Sequence, residues 1–136
     1  MFQSDYMLNE VRRFAALLAR LMGLKTNGSH EEYIQQFNNI LQDEYNTELE
    51  QLLALSEDDF ISNLNASGYS IEKLNALSQI LYVFAHPLKA DNETHLILNK
   101  VLIIFDLLEQ KYNYQSFENI DKRKTIYSYF KQNDQS

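Results

Sequence analysis

At 136 residues, 45% hydrophobic and 23% charged, the chain has the composition of a folded globule and the length of one ordinary domain. It has no cysteine, which excludes disulfides and thiolate zinc sites, and its three glycines and one proline are too few for the turns of a sandwich or barrel. These bounds predict an all-α fold: one domain over 1–136, six or seven short antiparallel helices in a bundle or hairpin array, with the last five residues frayed.

The net charge of −7 is unevenly spread. Residues 1–28 carry Asp5 and Glu10 against Arg12, Arg13, Arg20 and Lys25. Residues 29–72 carry ten acids and no Lys or Arg. Overall acidity argues against nucleic acid as a partner, because phosphate binding rests on clustered bases. No signal peptide is expected, since the apolar run Phe14 to Ala19 is short and ends at Arg20. The strip Leu96–Leu108 is broken by Asn99, Lys100 and Asp106, short of the ~20 residues that span a bilayer. The expectation is a cytoplasmic protein with no membrane partner.

The first helix is predicted from about Asp5 to Met22, with Ser4 as its cap and Gly23 as its stop. Met7, Val11, Phe14, Leu18 and Leu21 form an apolar stripe at 4-3-4-3 spacing, widened by Leu8, Ala15, Leu17 and Met22. Thr26-Asn27-Gly28 reads as a loop. Ser29 with Glu32 is a capping box, and Tyr33, Ile34, Phe37, Ile40 and Leu41 give the next helix its core face. Thr47 with Glu50 repeats the box. Asn38, Asn39 and Asn46 leave open whether residues 30–55 are one helix or two.

Ser56 with Asp59 starts a short helix through Phe60, Ile61 and Leu64, which Gly68 ends. Ser70 caps the next, lined by Ile71, Leu74, Leu77, Leu81 and Phe84. Pro87 stops it at His86. Asp91 or Asn92 starts the most apolar helix, to about Tyr112, and a helix apolar nearly all round belongs at the centre of a domain. A last helix, about Glu118 to Lys131, is predicted to pack through Ile120, Ile126, Tyr127 and Phe130.

The opening Asp5-Tyr6-Met7-Leu8…Val11…Phe14…Leu17-Leu18-Ala19-Arg20-Leu21…Gly23 resembles a family of small, acidic, uncharacterised bacterial proteins with a domain of unknown function. Ser56-Glu57-Asp58-Asp59-Phe60 and Ile71-Glu72-Lys73-Leu74…Leu81-Tyr82 are similar to the same family, so the likeness covers most of the chain. The resemblance implies a tetratricopeptide-like arrangement of helical hairpins with no assigned activity.

Reactive constellations are not evident. Asp91-x-Glu93-x-His95 has metal-ligand types, but residues two apart on a helix spread around its axis, so no metal is expected. His30 reads as a helix start and His86 as a helix end. The run Lys122 to Lys131 interleaves bases with aromatics, as single-strand nucleic-acid binders do, but its aromatics already have a place in the core. No catalytic residue or cofactor site is assigned. The leading expectation is a non-enzymatic helical interaction or scaffold domain that pairs with a protein partner. Homodimerisation would run through helix one at Met7, Val11, Phe14, Leu18 and Leu21. The alternative is a small-molecule-binding or hydrolytic domain with an acidic pocket from residues 29–72, which needs a buried carboxylate.

Overall fold

A computed structural model describes residues 2–133 of the chain. Seven helices occur among them and no strand: α1 (Phe2–Asn27), α2 (His30–Tyr45), α3 (Leu49–Ala54), α4 (Glu57–Ser67), α5 (Ile71–Ala85), α6 (Asn92–Tyr112) and α7 (Phe117–Asn133). The protein is all-α. Among the described residues no helix is long and apolar enough to cross a membrane. The expected fraying of the last five residues falls largely on 134–136, outside the described residues.

Two compact units divide the chain, Met1–Phe60 and Ile61–Ser136. In the first, α1 and α2 form a hairpin turned by Gly28 and Ser29. Ser29 caps α2 by accepting the Glu32 amide at 3.1 Å. Tyr33, Phe37, Ile40, Leu41 and Tyr45 are buried from α2, at the three- and four-residue intervals that keep one face inward.

α1 is longer than its sequence predicts at both ends. It begins at Phe2, so Ser4 lies inside the helix and is not its cap. It also runs through Gly23 to Asn27, and the Gly28 amide still donates to the Leu24 carbonyl at 2.8 Å. A glycine can end a helix, but here Leu24 and Lys25 behind it are half-buried and hold the next turn. Gly23 therefore sits in a helix interior, where it costs about 0.5–1 kcal/mol relative to alanine. A Cβ added there meets nothing within 4 Å. Gly23→Ala is expected to stabilise the protein by that amount, read as a higher urea midpoint with an unchanged slope.

Residues 30–55 form two helices because Asn46 takes the left-handed conformation, φ 55°. Its amide donates to the Gln42 carbonyl at 3.1 Å and the Thr47 amide to the Leu41 carbonyl at 3.4 Å, closing α2. The expected Thr47 cap does not form. Its hydroxyl donates to the Glu48 carbonyl, and the N-cap residue is Glu48, which makes no side-chain cap bond. Asn38 of α2 substitutes, accepting the Leu49 amide on Oδ1 at 3.0 Å.

In the second unit, α5 and α6 pack along their lengths. Leu74, Leu77, Ile80, Leu81 and Ala85 meet Ile97, Leu98, Val101, Ile104, Phe105 and Leu108 in the buried core. α6 is the central helix here, since α7 packs on it as well. Start signals read from sequence recur as contacts: Ser56 accepts the Asp59 amide at 3.1 Å, Ser70 the Lys73 amide at 3.1 Å, and Asp91 the Thr94 amide at 2.8 Å. Gly68 beyond the end of α4 has φ 71°, a conformation favouring glycine.

α7 corrects the predicted packing. Ile126 and Tyr129 are buried, but Ile120 and Tyr127 are exposed and Phe130 is half-buried. The inward face starts instead at Asn119 and continues through Lys122 and Arg123. Asn119 Nδ2 donates to Asn75 Oδ1 at 2.8 Å and Gln79 Nε2 donates to Asn119 Oδ1 at 2.9 Å, while Lys122 donates to Gln79 Oε1. Arg123 pairs with Asp106 at 2.9 Å and with Glu109. Buried polar groups are tolerated when each finds a partner, and these do.

Candidate interaction surface

α1 carries the residues that sequence singles out, and the structure divides them. Phe14 and Leu21 are buried against the hairpin, Leu18 is half-buried, and Met7 and Val11 are each 49% exposed. The five therefore do not form one open face. The packed edge of α1 consists of Glu10, Phe14 and Leu21, with spacings of four and seven. Beside it the Arg13 guanidinium lies 4.5 Å over the Phe14 ring and reaches Glu44 at 2.5 Å. The Glu44 hydrogen bond raises the Arg13 pKa above its ordinary value. Farther along, Lys25 lies 5.4 Å over the Tyr33 ring, and burial lowers its pKa. Burial pushes the Tyr33 phenol up to about 12.

Arg13 thus pairs with α2 one residue before that helix ends at Tyr45. On the preceding turns of α1 Glu10 is buried, while Met7, Leu8 and Val11 are each about half exposed. A second stripe follows from there: Leu8, Val11, Ala15, Leu18 and Met22, spaced 3-4-3-4 along one side of the helix. Leu18 is half-buried and the other four are exposed, Met22 at 51%. Sequence reasoning placed Leu8, Ala15 and Met22 only at the margin of the predicted stripe. The signal that finds them is the same heptad spacing counted from Leu8 instead of Met7.

The other candidate groups are arranged as follows. None of the ten acids in residues 29–72 is buried; Glu44 and Glu72 are half-buried and the other eight are exposed. His30 is exposed at the first position of α2. His86 Nδ1 lies 2.8 Å from the Tyr82 carbonyl. His95 Nδ1 lies 2.8 Å from the Asp91 carbonyl and 3.0 Å from the Tyr129 hydroxyl, which itself donates to the Lys89 carbonyl at 2.6 Å. A carbonyl can only accept, so Nδ1 of His95 carries its proton. Among the described residues no three His, Asp or Glu side chains are grouped to hold a metal ion.

No family model, curated protein or solved structure matches the chain. The geometry itself must then separate one surface from another. An open cleft of about 430 Å³ lies between residues 88–90 and the second half of α7, with Lys124, Ser128 and Tyr129 on its wall. Neither a carboxylate nor an imidazole lines it among the described residues. The α1 face, by contrast, exposes large aliphatic side chains in a continuous row. Such a row is unfavourable in water and characteristic of contact surfaces.

Proposed function

We propose that the chain is a non-enzymatic helical interaction domain that pairs with a second copy of itself through the open face of α1. The observation that carries this reading is the row Leu8, Val11, Ala15, Leu18 and Met22, left open beside a packed edge on the same helix. Two such rows laid antiparallel complement each other: Ala15 lies opposite Leu18 and Val11 opposite Met22, small against large and medium against long. Arg12 and Arg20 lie off the row, and Lys25, opposite Leu8 in that alignment, carries its ammonium over the Tyr33 ring. We further place the protein in the cytoplasm, which suits a chain without cysteine, and read its helical hairpins as tetratricopeptide-like, as the family resemblance implies.

Light scattering on the purified protein tests the pairing. The expected result is twice the 16.0 kDa chain mass at high micromolar concentration. Val11→Asp should return the 16.0 kDa species with unchanged helical circular dichroism, because a half-exposed side chain contributes little to the monomer fold. A wild-type monomer that persists at those concentrations refutes the reading.

A further inference from the structure

A second open row lies on α7, and it differs in chemistry from the first. Phe117, Ile120, Lys124, Tyr127 and Lys131 follow one another at 3-4-3-4 spacing, on the side of the helix opposite buried Asn119, Ile126 and Tyr129. Phe117 is 90% exposed and Tyr127 52%, a high exposure for aromatic rings that bury 150–250 Å² or so when packed. Lys124 is exposed between them and Lys131 beyond Tyr127, and exposed Asp121 flanks the row one turn before Lys124.

We infer that this face of α7 binds the same face of a second copy, antiparallel about a two-fold axis near residue 122. The argument is self-complementarity, which an isologous contact requires. With that axis, Phe117 of each chain meets Tyr127 of the other, giving two aromatic pairs at the ends. Ile120 lies along the methylene stem of Lys124 from the other copy. Each Lys124 ammonium then reaches Asp121 of the other copy, so two lysines and two aspartates form a neutral cluster about the axis. Shifting the alignment by a turn separates the aromatic pairs, leaving Lys124 opposite Lys124 in one direction and opposite Phe117 in the other. A single helix pair of this length buries less than the roughly 1,200 Å² of a standard interface, so the association is weak and concentration-dependent.

This contact uses a different face from α1 and stands whether or not α1 pairs. Sedimentation equilibrium near millimolar concentration, above the range in which Val11→Asp is a monomer, tests it in that background, and the same charge series in the wild-type background reads the contact independently of α1. Weak dimerisation is expected for Val11→Asp alone. Lys124→Asp or Asp121→Lys added to it should each weaken that association about tenfold or more, because four like charges then surround the axis. Combining both reversals should restore it to within about threefold. Absence of residual association, single reversals without effect, or a double reversal that fails to recover would each overturn the assignment. A loss of helical circular dichroism in a reversal is distinguished by repeating the series as Lys124→Glu and Asp121→Arg.

Discussion

Replacing Phe105 by alanine is expected to destabilise the second unit by about 3–5 kcal/mol. The ring is 1% exposed on α6, among the side chains that α5 and α6 bury between them. Its loss removes apolar burial and leaves a void that close-packed neighbours fill only in part. A further cost arises at Arg123, whose guanidinium lies 5.7 Å from the ring centre. Burial disfavours the charged guanidinium, but the hydrogen bonds it donates to Tyr127, Asp106 and Glu109 outweigh that and raise its pKa. Truncating the ring admits water beside those bonds and weakens them. The measurement is urea unfolding followed by circular dichroism, with Leu108→Ala on the same face as a comparator. A loss under 1 kcal/mol would show that Phe105 is not a core residue.

On α1, Leu21→Ala should cost about 2–5 kcal/mol, whereas Val11→Ala should change monomer stability by no more than about 0.5 kcal/mol. Both residues belong to the stripe that periodicity assigns to one face. The structure gives Leu21 no exposed surface and leaves Val11 at 49%. Deleting methyls from Leu21 opens a cavity against the α2 side chains. Deleting them from Val11 only shortens a side chain already in contact with water. The two variants should separate in opposite assays: Leu21→Ala lowers the unfolding midpoint, and Val11→Ala weakens self-association at an unchanged midpoint. Equal unfolding losses at the two positions would mean that α1 is packed on both sides.

That contrast also marks what periodicity can and cannot resolve. Helix identity was legible wherever a local device sets it. Ser29, Ser56 and Ser70 each bond an amide three residues ahead, and Asp91 does the same, so four starts can be read within a few letters of sequence. Ser116 accepts the Asn119 amide in the same way and starts α7 one residue before the predicted Glu118. Gly23 was misread because a glycine ends a helix only when nothing downstream rewards another turn. Thr47 does not cap α3 because Asn38, eleven residues before Leu49, takes the Leu49 amide instead.

The register of α7 was the least legible part. Ile120 and Tyr127 are apolar letters that sequence sends inward, and Asn119 and Lys122 are polar letters that it sends outward. Their places are exchanged because Asn75 and Gln79 on α5 supply polar partners 40 to 44 residues away. Burial pulls the Lys122 ammonium below its ordinary pKa, against the opposing charges of Glu118 and Asp121. No pattern within a single helix records such long-range pairing. The same limit applies to the surface of α1: the apolar letters are plain in sequence, but not which of them α2 covers.

The way α7 is attached has a thermal consequence. Its inner side mixes Asn119, Lys122 and Arg123 with Ile126, Tyr129 and part of Phe130, so detaching it hydrates less oil-like surface than parting α5 from α6. Apolar hydration is what gives unfolding its large heat-capacity change, and detachment of α7 alone should carry a smaller one. Its free energy then varies more nearly linearly with temperature, while the α5–α6 core follows the usual dome. On warming, the C-terminal helix should fray away before the pair beneath it melts, as a sub-global opening of low cost.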